Sequence, residues 1–191
     1  MKRLLLILIL TFSFQALTKA NDFKEFQIEG MSIGDSALDF FDKSILENGK
    51  EFNWYDTKFF TPIRDIELNN AKTYESFQLA IKSDDNNYII KSVSGFVYYK
   101  NNINKCYQKL DDIDADIKKL FNNIKSKKRN FKHSGDKSGK STIRDIVFFD
   151  DNKNQITIAC YDWSKKMKYW DQLRISIGTK EYRDWIKIAY D

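Results

Sequence analysis

Apolar and polar positions along this chain follow two periods, and the switches between them mark its elements. From Asn102 onward, Ile103, Cys106, Leu110, Ile113, Ile117, Leu120, Phe121 and Ile124 recur at three- and four-residue spacing. That spacing predicts one long amphipathic helix, with Asn102 as its cap. A weaker stripe through Ala37, Leu38, Phe40, Phe41, Ile45 and Leu46 predicts an earlier helix. Asp35 or Ser36 would cap it, a break falls near Ser44, and Gly49 stops it. A last helix follows Thr179 and carries Tyr182, Trp185, Ile186 and Ile188.

Between the helices the pattern changes to runs of strand type. Residues 52–69, "FNWYDTKFFTPIRDIELN", read as strand, with Pro62 marking an edge or a bulge. "YESFQLAIK" and "NYIIKSVSGFVYY" flank the turn Ser83-Asp84-Asp85-Asn86 and read as a hairpin with a kink at Gly95. After a basic loop come "TIRDIVFF" and "QITIACYDW", the latter placing Ile156, Ile158 and Cys160 on one strand face, and "DQLRISI" completes a second hairpin. Hairpin-then-helix thus occurs twice, a hint of an internal repeat of about 80 residues. The fold class expected is α+β, an antiparallel sheet with helices mainly on one face.

The start of the chain belongs to a different pattern. Met1-Lys2-Arg3 is followed by an almost wholly apolar run from Leu4 to Phe14, and Thr18-Lys19-Ala20 places small residues where a signal peptidase reads. An export signal over 1–20, cut after Ala20, is expected, leaving 21–191 as a single domain. The apolar run, about eleven residues, is short for a hydrocarbon core of roughly 30 Å, so a retained anchor is the alternative. No Cys lies near the cut to carry a lipid, and no later segment is long and apolar enough to cross a membrane. Abundant Lys, Asn, Ile and Asp with a single Pro read as AT-rich bacterial coding, so the destination expected is periplasmic or secreted.

Export changes the reading of charge and of cysteine. The formal +5 includes Lys2, Arg3 and Lys19, and the leader holds no acid, so the remainder carries only about +2. That is an ordinary surface, and no nucleic-acid footprint is expected. Two cysteines in an exported chain are most simply a disulfide, Cys106–Cys160, with both residues on apolar faces.

Several stretches imitate known chemistry and lack its other parts. Gly34-Asp35-Ser36 matches the opening of the GDSL esterases, yet the only histidine is His133, with Asn130 rather than Asp three before it, and no Gly-x-Asn-Asp block is present. Ser36 is therefore read as a helix cap. "SGDKSGKST" (134–142) imitates a phosphate loop, but Ser134 stands where the first Gly belongs and a strand-like run follows where a helix should. "DIDAD" (112–116) imitates a calcium loop, but Ile117 and Asn123 occupy the positions of its Gly and Glu. It is read as a solvated helix face with an Asp114–Lys118 pair. No catalytic residue, metal site or cofactor is expected.

What remains is a surface signal. "KSKKRNFKHSGDKSGK" (125–140) holds seven Lys/Arg against one Asp, and "WSKKMKYW" (163–170) sets three lysines between aromatics at a hairpin tip. Lys127, Lys128, Arg129, Lys132, Trp163, Lys165, Lys166, Lys168 and Trp170 are the candidates for holding an anionic partner, whether lipid headgroup, polysaccharide or acidic protein face. The plainer reading is two solvated loops with Trp163 and Trp170 folded inward.

"GMSIGDSALDFF", "INKCY", "HSGDKSGKS", "CYDWSKKMKYWDQLRISI" and "EYRDW" together resemble a family of small exported bacterial proteins that has no assigned activity. More loosely, "IEGMSIGDS" ahead of a helix and an antiparallel sheet looks like the small α+β envelope proteins of the barrel-assembly lipoprotein and β-lactamase-inhibitor type. That likeness implies sheet-mediated protein binding, at the level of fold alone. The functional expectation is a non-enzymatic extracytoplasmic binding domain, its partner an envelope protein or an anionic surface. The rivals are an envelope hydrolase with unidentified carboxylate or serine chemistry, and a peripheral membrane protein working through its lysine loops.

Overall fold

The computed structural model describes residues 22–51, 59–100, 102–121 and 124–190. The expected leader, its cut after Ala20 and the first part of the strand read over 52–69 lie outside the described residues. Seven antiparallel strands, β1 (Phe60–Ile66), β2 (Ser76–Lys82), β3 (Ser92–Tyr98), β4 (Lys125–Lys132), β5 (Thr142–Phe149), β6 (Gln155–Asp162) and β7 (Gln172–Gly178), form one sheet. Their spatial order is β1-β2-β3-β7-β6-β5-β4. The described residues also form three α-helices, α1 (Lys43–Asn48), α2 (Ile103–Leu120) and α3 (Lys180–Tyr190). The fold is α+β, as the alternation of periods predicts. Three strands precede α2 and four lie between α2 and α3, and the two strand groups meet where β3 pairs with β7.

The long helical stripe delivers the core. Cys106, Leu110 and Ile117 of α2 are buried, as are Ile156, Ile158 and Cys160 on one face of β6 and Leu173, Ile175 and Ile177 on the same face of β7. Side chains of this size contribute roughly 1.5–3 kcal/mol each when fully buried. The disulfide Cys106–Cys160 forms, its Cα atoms 5.9 Å apart and 54 residues apart in sequence, and it staples α2 to β6. Toward the other edge the same face is covered by the segment before β1. Phe41 meets Phe77 of β2, Phe23 meets Phe121 after α2, and Leu46 of α1 is fully buried. Helix α3 lies on the opposite face. Its Tyr182 and Trp185 pack on Phe60, its Glu181 pairs with Lys82, and its Arg183 sits over the Phe149 ring.

Four local expectations are revised. The first helical stripe divides into a 3₁₀ turn at Ala37–Asp39 and α1, with the break at residues 40–42. The α2 helix ends at Leu120, with Phe121 extended, before Ile124 is reached. Gly95 makes no kink: β3 keeps its register there, and the glycine is needed because a Cβ would fall 2.6 Å from the Tyr74 ring. The bulge lies instead in β1 between Ile63 and Ile66, where Asp65 has φ 52°, in the edge strand that Pro62 marks. The largest revision concerns 125–132. This stretch is not a loop but the edge strand β4, exposed along its whole length and paired with β5 from Lys125↔Phe149 to Lys132↔Thr142. It has no apolar alternation because neither of its faces is buried, so periodicity gave no sign of it.

Candidate functional site

The two lysine-rich stretches meet at one end of the sheet, and a single carboxylate joins them. Asp136 is buried in the turn between β4 and β5 and accepts hydrogen bonds from Ser138 N, Ser138 Oγ, Ser141 N and Ser141 Oγ at 2.6–2.9 Å. Its Oδ2 also accepts from Ser164 Oγ (2.8 Å), in the turn between β6 and β7, while Ser164 N donates to Ser141 Oγ (2.9 Å). These donors, chiefly Ser141 and Ser138, hold the Asp136 carboxyl well below the usual carboxylate range. The phosphate-loop lookalike is therefore a serine-lined turn wrapped around an aspartate, with Gly139 at φ +66° closing it.

Aromatic rings reinforce the junction. The Trp163 ring lies 4.6 Å from that of His133, stacks on Tyr161 at 5.6 Å with 15° between planes, and meets Tyr169 edge-on at 5.0 Å. Burial against these rings lowers the His133 pKa below the ordinary imidazole value, against the opposing pull of Asp136. Trp170 stands apart, 51% exposed, edge-on to Tyr98 and beneath the Lys100 ammonium. So Trp163 folds inward, as the plainer reading holds, and Trp170 does not.

The nine residues singled out from sequence divide accordingly. Lys132, Trp163, Lys165, Lys166, Lys168 and Trp170 gather at this end, with Lys137 and Lys140 beside them. Among the described residues none of these six lysines forms an ion pair, and Lys165, Lys166, Lys168 and Tyr169 are exposed. Lys127, Lys128 and Arg129 lie along β4, leading away. Lys128 reaches Asp114 of α2 (2.8 Å), and Arg129 makes a paired contact with Asp145 of β5 through Nε (2.9 Å) and Nη2 (2.5 Å). Asp114 is thus buried between Lys118 and Lys128 rather than solvated: its pairing with Lys118 is present, and tertiary packing adds the second lysine.

A second feature is the face of the sheet that α2 leaves bare. Between α3 and the aromatic rim runs a trough of about 490 Å³. Its floor is formed by Gln78 of β2, Thr157 and Ala159 of β6, Arg174 and Ser176 of β7 and Asp145 of β5, with Phe131 and Ile143 toward the β4 edge. Sequence reading passed over these residues. Apart from Phe131 on β4, each is the outward member of an alternating strand, and that alternation says only that the side chain leaves the core.

Ser36 caps the 3₁₀ turn at Ala37–Asp39. Its hydroxyl accepts from Leu38 N (3.3 Å) and donates to Asn87 O (2.8 Å), the work of a cap. It bridges to Ile89, just before β3, whereas His133 follows β4, four strands away across the sheet. Asp35 assists locally by accepting from Ser32 N (2.7 Å). Comparison of the chain with protein families, characterised proteins and solved structures returns no match to any of them.

Proposed function

We propose that this chain is an exported, non-catalytic binding domain that engages an anionic lipid surface through the end of the sheet assembled around Asp136. The observation that carries the reading is the joining of two lysine-rich turns by that one buried carboxylate, beside Tyr169 and the half-exposed Trp170. Six lysines that have no ion pair among the described residues raise the potential at this end, and each contributes about 1 kcal/mol near an anionic surface. Exposed Trp and Tyr suit the polar–apolar boundary of a bilayer, their rings in the headgroup layer and their polar atoms toward water. The disulfide supports an oxidising compartment and hence export. No helix among the described residues is long and apolar enough to cross a membrane, so attachment on this reading is peripheral.

The test is sedimentation with vesicles of a neutral lipid, alone or with an anionic lipid added. The chain beginning at Asn21 should pellet with the anionic vesicles alone. Changing Lys165, Lys166 and Lys168 together to Glu should abolish retention, and Trp170→Ala should weaken it by about tenfold or less. Equal retention of the wild type and the triple variant would discard the reading, as would retention by a soluble polyanion column without any by vesicles. Intact mass of the exported protein checks the cut after Ala20.

A further inference from the structure

The trough on the bare sheet face holds a cation that the lysine end does not use. Arg174 lies at its centre, flanked in the sheet by Phe96 of β3 and Ala159 of β6. We propose that this trough is a second binding site, taking a small organic monocarboxylate with an apolar body whose carboxylate is held end-on by Arg174. The guanidinium is fixed in advance. Its Nε and Nη2 donate to Ser94 Oγ at 3.2 and 3.0 Å, Ser94 is 1% exposed, and the guanidinium carbon lies 5.4 Å from the Phe96 ring centre. One edge of the fork is thereby spent on a neutral hydroxyl. The other edge, Nη1 with the second Nη2 hydrogen, is the one that receives a carboxylate through two parallel bonds.

Charge selects for a single anion. Among the described residues Arg174 forms no ion pair. The nearest acid in its row of the sheet, Asp145 beyond Ala159, has both oxygens engaged by Arg129. The row therefore carries one uncompensated positive charge, which a monocarboxylate neutralises. The remaining lining fits an apolar body. Ser176, Thr157 and Gln78 keep the floor low, while Phe131 and Ile143 at one side and Ile186 of α3 at the other supply apolar contact. The volume of about 490 Å³ lies within the range common for small organic ligands. This site is independent of the lysine end: none of its residues belongs to the turns around Asp136.

The experiment uses 15N-labelled protein and two probes of one shape, 3-phenylpropionate and its uncharged amide. The acid should shift the Arg174 Nε–Hε resonance saturably, and the amide should bind at least about tenfold more weakly. Arg174→Met should weaken the acid by a similar factor and leave the amide unchanged, while the Lys165/Lys166/Lys168→Glu variant should keep full affinity for the acid. The acid–amide comparison on wild-type protein decides the matter even where the Met variant folds poorly. Absence of a saturable shift, equal binding of acid and amide, or loss of acid binding in the triple Glu variant would each overturn the site.

Discussion

At Asp136 one carboxylate takes over what a hydrophobic contact does elsewhere in the chain. Four hydrogen bonds from Ser138 and Ser141 shape the turn after β4 around this acceptor, and the turn after β6 is joined to it by Ser164 Oγ on Asp136, by Ser164 N on Ser141 Oγ and by the Trp163 ring on His133. Bonds of this kind are about twice as strong as neutral ones. Because the folded carboxyl titrates below its ordinary value, its stabilising effect is complete above the unfolded value of roughly 3.9 and is lost as pH falls through the folded value. Amide exchange at Ser138, Ser141 and Ser164, corrected for its intrinsic pH dependence, should therefore be slow at pH 6 and quicken in acid. In Asp136→Asn the same amides should exchange fast at both pH values. Unchanged protection in the variant would show that the aromatic stack alone joins the turns.

Among the elements, α2 is held by means of two kinds. Its buried stripe of Cys106, Leu110 and Ile117 meets the sheet through dispersion and the disulfide, and its polar flank is tied by Arg144–Asp111 and Lys128–Asp114. Closing a loop of this length restricts the unfolded chain and is worth about 4 kcal/mol on the chain-entropy model. Cys106→Ala combined with Cys160→Ala should lower the urea-derived stability by about that amount, less whatever the repacked alanines recover. Far-UV circular dichroism at 25 °C should stay the same, since Leu110, Ile117 and both ion pairs persist. A full loss of structure would mean that the staple is what docks the helix. Strand β4 shows the opposite economy. It buries nothing, and its lysines shield a sheet edge whose neighbour β5 is rich in Ile, Val and Phe, the kind of edge that charged residues protect from pairing with other chains.

On the scale of the whole molecule, the two faces and one end of the sheet are put to separate uses: α2 and the segment before β1 close one face, α3 partly covers the other, and the lysine turns occupy an end. An attraction made by six exposed lysines is screened within about 8 Å at physiological ionic strength. Vesicle retention should therefore fall steeply between 50 and 300 mM salt. It should stay level from pH 7 to 9, because burial lowers the His133 pKa and keeps that ring neutral there. Retention that grows as pH falls through 7 would assign the attraction to the histidine and not to the lysines.

Local pattern along the chain laid out the main elements that bury something. The α2 stripe and the alternation in β6 and β7 were legible because hydrophobic periodicity is a local property of the chain, and the pairing of Cys106 with Cys160 because two cysteines allow one partner each. Strand β4 and the buried position of Asp114 were not legible: the first buries no face, and the second depends on Lys128 arriving from a distant strand. The same holds for the candidate sites. Sequence supplied six of the residues at the lysine end, yet only the antiparallel order β6-β5-β4 brought Ser164 to Asp136 and joined the two turns. Arg174 was one outward residue on one strand. Pairing β7 between β3 and β6 set it beside Ser94, because spacing between strands is decided by the fold and leaves no periodic mark along the chain.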